Sequence, residues 1–113
     1  MSKEMANPQA SLQGLANGDI TVLNVLTRMI EGTFEESGLD AKTFMLVRMA
    51  ALATLDAAPA SWLMNIQAGG EAGLAPESII GTLIAIAPVI GTARVISAAG
   101  HIVKAFDLAE NLQ

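Results

Sequence analysis

Between Phe44 and Leu55 the only side chains that are not apolar are Arg48 and Thr54. Strands of a half-exposed sheet alternate apolar and polar residues, and nothing here alternates, so the run reads as a helix from Ala41 to Leu55. A helix that is apolar on every side has to be buried. That requirement is severe for 113 residues, which make one domain and can shield only part of their own apolar surface. Apolar residues are 52% of the chain and charged residues 15%, with a mean hydropathy of +0.50. Such a composition excludes disorder and leaves little polar material to coat a monomer. Apolar surface is therefore expected to meet a second copy of the chain.

The same reading extended along the chain predicts an all-α fold, a small bundle of about five main helices. Residues 1–18 contain Asn7-Pro8 and Asn17-Gly18 and read as an N-terminal arm with one short turn around Ser11 to Ala16. Residues 19–113 form the single helical domain. Asp19 is placed to cap a helix whose Val22, Leu26, Met29, Ile30 and Phe34 recur at three- and four-residue steps before Gly38 stops it. Asp40 caps the apolar helix. Asp56 to Pro59 breaks it, and Pro59 opens a further helix to Ala68, ended by Gly69-Gly70 and Gly73. Pro76 and Glu77 open the next, which Pro88 is expected to end or kink. Thr92 is the expected cap of the last helix, about Ala93 to Glu110, with Val95, Ile96, Ala99, Ile102, Val103 and Phe106 toward the interior.

Several function classes fall away on composition. Six basic against eleven acidic groups give a net charge of −5, so no basic footprint for nucleic acid exists. Without cysteine there is no disulfide and no thiolate, and one histidine makes a poor metal set. Glu31, Glu35 and Glu36 read as a solvated helix face rather than a metal site. No glycine loop follows a strand, and no cofactor is expected. Ser78 to Ala93 carries no charge, yet Gly81, Pro88 and Gly91 interrupt it and Arg94 and His101 follow, short of the roughly 20 residues a membrane span takes. Two short buried helices are the preferred reading. Residues 1–18 lack the apolar core of a signal peptide, and the cytoplasm is the expected location.

Leu39-Asp40-Ala41-Lys42-Thr43, then Leu46-Val47-Arg48-Met49-Ala50-Ala51-Leu52-Ala53, then Ala68-Gly69 and Ala75-Pro76-Glu77-Ser78-Ile79-Ile80, follow one another in a suggestive order and spacing. From Leu39 onward this order resembles the carboxymuconolactone decarboxylase superfamily, which includes the alkylhydroperoxidase D proteins. The resemblance implies an alkylhydroperoxidase D-like bundle that assembles as a trimer or hexamer. In thiol-active members of that family a glutamate, a Cys-x-x-Cys pair and a histidine form the redox centre. The corresponding positions here are Met45, Ala57, Ala60 and Met64. Alanine cannot attack a peroxide, so the family's thiol mechanism is excluded on the residues themselves.

Two functional readings remain. In the first, the protein is a self-associating, non-peroxidase relative that binds a small apolar or weakly anionic molecule. In the second, it is a cysteine-independent decarboxylase or isomerase acting on a small carboxylate or lactone. There, Arg48 or Arg94 would hold the carboxylate, and Asp56 or His101 would carry the proton. Arg94, Ser97, His101 and Lys104 share one face of the last helix, as their spacing requires. Ser61, Trp62, Met64 and Asn65 follow the break at Asp56 and would flank the corresponding pocket. Trp62 and Met64 read more readily as ordinary core packing than as pocket lining. Arg48, alone inside its apolar run, needs a partner, for which Asp40 and Asp56 are available.

Overall fold

A computed structural model describes residues 8–16 and 20–111, and every described element is helical. In chain order these are α1 (Pro8–Ala16), α2 (Ile20–Ser37), α3 (Ala41–Thr54), α4 (Pro59–Glu71), α5 (Pro76–Ile90) and α6 (Thr92–Asn111). The five expected main helices are α2 to α6. The short turn expected near Ser11 is longer than the sequence suggested, because α1 already starts at Pro8. The expected cap at Asp19 and the expected core positions Val22 and Leu26 lie outside the described residues and side chains.

Local chemistry sets the helix ends. Gly38, at φ 70°, follows the last residue of α2. Asp40 caps α3 by accepting the Thr43 backbone N–H at 2.9 Å and its hydroxyl at 3.0 Å, and these bonds hold its carboxyl below the ordinary 3.8. After α3 the Asp56 N–H donates to the Ala53 carbonyl and the Ala57 N–H to the Leu52 carbonyl, a paired closure with Asp56 left-handed at φ 55°. α4 closes in the same way, from Gly73 to Gly70 and from Leu74 to Gly69, with Gly73 at φ 82°.

Three boundaries differ from the expectation. α4 does not stop at Ala68 but runs through Gly69-Gly70 to Glu71. Gly69 is buried, and a Cβ there would lie 3.1 Å from the Met49 methyl, so this glycine serves close packing rather than termination. Pro88 does not end α5, which continues to Ile90. Proline removes one N–H, the partner of the Ile84 carbonyl, and Ile84 is exposed, so water can take that place. The break falls at Gly91, whose φ 92° and ψ 154° belong to a region open essentially to glycine alone. Thr92 is the first residue of α6 rather than its cap.

The core gathers Phe44, Met45, Met49 and Ala53 of α3, Trp62, Leu63 and Met64 of α4, Ile79 and Leu83 of α5, and Ala98, Ile102 and Ala105 of α6. α2 adds Ile30, and Phe34 meets the Phe44 ring edge-on at 5.3 Å. Two expectations about burial are corrected. α3 is not covered all round, since Val47 is exposed, as is Leu55 at its C-terminal cap. On α6 only Ile102 and the half-buried Val95 of the expected interior set turn inward, while Ile96, Ala99, Val103 and Phe106 face out. The chain folded alone has too few elements to cover both sides of these helices.

The conformation at Gly91 makes a direct comparison available. Gly91→Ala is expected to lower the unfolding free energy by about 1–3 kcal/mol, whereas Gly81→Ala, in open space within α5, raises it by about 0.5–1 kcal/mol. Urea denaturation at one fixed protein concentration measures both, and equal effects would refute the assignment of strain to Gly91.

Candidate functional site

The break after α3 and the first half of α6 come together at Asp56. Its Oδ1 accepts the Ser97 hydroxyl at 2.5 Å, Arg94 Nη1 lies 3.8 Å from Oδ2, and His101 Nδ1 lies 3.7 Å from Oδ1. Arg94, Ser97 and His101 reach one carboxylate because steps of three and four residues put them on one side of α6. Lys104, the fourth member of that stripe, is exposed. Asp56 can take its left-handed backbone because aspartate tolerates that region better than most residues. The turn thereby presents its carboxylate to α6.

The electrostatics are those of a partly solvated cluster: the Arg94 and Asp56 side chains are 50% and 38% exposed. An ion pair so placed adds about 0–1 kcal/mol at most. His101 Nδ1 is different. It is sealed from solvent without a hydrogen-bond partner, and 3.7 Å to Asp56 is beyond hydrogen-bonding range. The imidazole stands beside the carboxylate that also takes the Ser97 hydroxyl and faces Arg94. Chemically the arrangement offers a proton carrier, a fixed carboxylate and a cation that could face an anionic group.

Arg48 belongs to another set of contacts. Its Nε donates to Asn65 Oδ1 at 2.8 Å, Asn65 Nδ2 donates to the Ser61 carbonyl at 2.8 Å, and the guanidinium carbon lies 5.4 Å from the Phe44 ring centroid. The expected partners, Asp40 and Asp56, are engaged by Thr43 and by Ser97 instead. Partial burial shifts the Arg48 pKa downward, since the charge is taken out of water against a neutral acceptor. Nothing in the residue spacing marks Asn65 as that acceptor; it lies on α4, and only the packing of α3 on α4 brings it there.

Trp62 and Met64 are buried in the core, Trp62 completely, with its indole Nε1 lacking a hydrogen-bond partner. Of the positions matching the thiol centre, Met45 and Met64 are buried and Ala57 and Ala60 half-buried. Among the described residues two of the cavities are largely apolar. One, of about 250 Å³, lies between α5 and α6 and is lined by Ile79, Ile80, Leu83, Ile102, Val103 and Phe106 among others. The second, of about 220 Å³, is lined by Ile30, Phe34, Phe44, Met45 and Ala68 with Glu31 and Glu71. Neither is lined by Arg48, Asp56, Trp62, Met64, Arg94, Ser97 or His101. Among the described residues no group of three histidine, aspartate or glutamate side chains could hold a metal ion.

The Arg48–Asn65 bond gives a test of how the partly buried charge is held. Asn65→Leu is expected to cost about 2–3 kcal/mol in chemical denaturation, because it strands a charged donor. Arg48→Met combined with Asn65→Leu recovers most of that loss, since both partners are then apolar. Additive losses in the double variant would show that the pair is not coupled.

No curated protein and no solved structure matches the chain at a significant level. The family model described as the carboxymuconolactone decarboxylase family matches residues 21–104, about three-quarters of the chain, spanning most of α2 and all of α3, α4 and α5. With an all-helical fold, the Asp40-capped α3 and the α3–α4 turn inside that match, the chain belongs to the carboxymuconolactone decarboxylase family.

Proposed function

We propose that the protein is a self-associating member of this family that does not reduce peroxides and binds a small apolar or weakly anionic molecule. The observation that carries this reading is the surface of α5 and α6, where Ile80, Ile84, Ile96, Val103 and Phe106 stand exposed on a chain of 11.7 kDa. Monomeric proteins rarely leave such a continuous apolar face in water. A trimer or hexamer in the cytoplasm accords with it. The absence of cysteine, with inert side chains at Met45, Ala57, Ala60 and Met64, supports a protein without the thiol peroxidase mechanism. The cavity beside Met45 suits an apolar ligand, and Arg94 with His101 suits a weak anion.

A second reading is favoured by the convergence of Arg94, Ser97 and His101 on Asp56: a cysteine-independent decarboxylase or isomerase for a small carboxylate or lactone. Arg94 would orient the substrate carboxylate. Loss of carbon dioxide leaves a carbanion that needs a proton, which His101 or Asp56 would deliver.

Light scattering on the purified protein is expected to give the mass of a trimer or hexamer, and a monomer would overturn the first reading. Hydroperoxide added with a thiol reductant is expected to disappear no faster than in buffer. Carbon dioxide release from a carboxylated lactone, abolished by His101→Ala and Asp56→Asn with helix content unchanged, would establish the second reading instead.

A further inference from the structure

Glu31, Glu35 and Glu36 read in the sequence as one solvated helix face, and the fold separates them. Glu31 lies in the wall of the cavity of about 220 Å³, whereas Glu35 and Glu36 are exposed outside it. Three helices build that wall. α2 contributes Phe34 beside Glu31, α3 contributes Phe44 and Met45, and α4 contributes Ala68 beside Glu71. Glu31 and Phe34, like Ala68 and Glu71, are three residues apart, which puts each pair on one side of its helix. The alanine on α4 is too short to fill the space beside the Phe34–Phe44 ring pair, and the hole results.

Its size and charge limit the occupant. An apolar cavity of about 150 Å³ already admits benzene, so this one takes a single ring or a short chain with a small arm. The wall carries two negative charges and no positive one. Both carboxylates are on exposed residues and so stand at the mouth, and neither has an ion pair or a side-chain hydrogen bond among the described residues. Arg48 touches the Phe44 ring, but it is not in the wall, and it donates to Asn65. A metal ion is a poor complement, because two carboxylates fall short of a ligand set and the apolar depth offers a hydrated ion nothing. An organic cation satisfies both parts of the wall. We infer that the cavity between α2, α3 and α4 binds a small primary amine as its ammonium ion, with the apolar body against Phe34, Phe44 and Met45 and the charge between Glu31 and Glu71.

This inference rests on the ligand-binding reading and narrows it to a molecule with a positive head. It is separate from the cluster at Asp56, none of whose residues lines this cavity. An ion pair at the surface changes affinity by up to about fivefold. The apolar body therefore supplies most of the binding, and the two carboxylates supply the selectivity.

The probes are phenethylamine, its neutral counterpart phenethyl alcohol and the anion hydrocinnamate, each titrated into the full chain carrying isotope-labelled methionine methyls. The Met45 methyl, assigned with Met45→Leu, is the reporter, because Met45 is in this wall and no methionine lines the α5–α6 cavity. At neutral pH and low salt the amine is expected to bind about five- to tenfold more tightly than the alcohol, with hydrocinnamate weakest. Glu31→Gln combined with Glu71→Gln is expected to abolish that preference while leaving the affinity for the alcohol unchanged. Glu35→Gln combined with Glu36→Gln removes the same charge outside the cavity and is expected to keep it. About 0.5 M sodium chloride should bring amine and alcohol together in the unaltered chain, which tests the charge without any substitution. An alcohol bound as tightly as the amine, or a preference that survives loss of both wall glutamates or high salt, would overturn the cation and leave a cavity for apolar molecules standing. No movement of the Met45 methyl with any of the three probes would overturn this inference together with the cavity as a binding site.

Discussion

The close packing of α4 on α6 is the contact on which the other arrangements rest. Trp62 and Leu63 are fully buried, and α6 meets the core with two alanines, Ala98 and Ala105, around a single Ile102. Small residues let helix axes approach, and full burial of a tryptophan and a leucine contributes several kcal/mol. Once α4 is fixed on α6, the turn that precedes α4 is fixed as well. Asp56 then stands opposite Ser97 and Arg94, and Asn65, buried on α4, stands opposite Arg48. The Asp56 contact is a consequence of this packing, whereas the Arg48–Asn65 bond follows from the packing of α3 on that same helix α4.

That geometry places a polar cluster beside a turn stripped of sulfur chemistry. Ala57 directly follows Asp56, and the left-handed Asp56 residue closes α3 while aiming its carboxylate at α6. One residue does two jobs, terminating a helix and anchoring another. The methionines at 45 and 64 fill space in the core, as flexible thioethers do. The helical scaffold of the family is thus present in a chain that holds no cysteine.

How far the sequence revealed this depends on the distance over which each feature is determined. The helices α2 to α6 were legible from local signals: the Asp40 cap, prolines at Pro59 and Pro76, and the glycines Gly38 and Gly73. Pro88 does not end α5, because a proline in the last turn forfeits only one bond, on the solvent side, whereas Gly91 holds the torsion that forces the break. Gly69-Gly70 misled because a glycine can answer to packing as well as to termination. The residues around Asp56 were recognisable as candidates from helical spacing and from the break. The Arg48 partner was not, since a carboxylate is the obvious complement to a guanidinium and the structure supplies an amide.

Apolar content, helical periodicity and the absence of cysteine are local or compositional properties, and they alone determined an all-α chain without thiol chemistry and with more apolar surface than it can hide. Which stripe of α6 is hidden was decided only in three dimensions. Ala98, Ile102 and Ala105 on one side and Ile96, Ala99, Val103 and Phe106 on the other are both apolar, and the periodicity cannot distinguish them. The choice follows from packing: α6 lies against α4, whose Trp62 and Leu63 are fully buried, and small residues allow close approach of helices, so the stripe with two alanines is in the core and the other is left facing out.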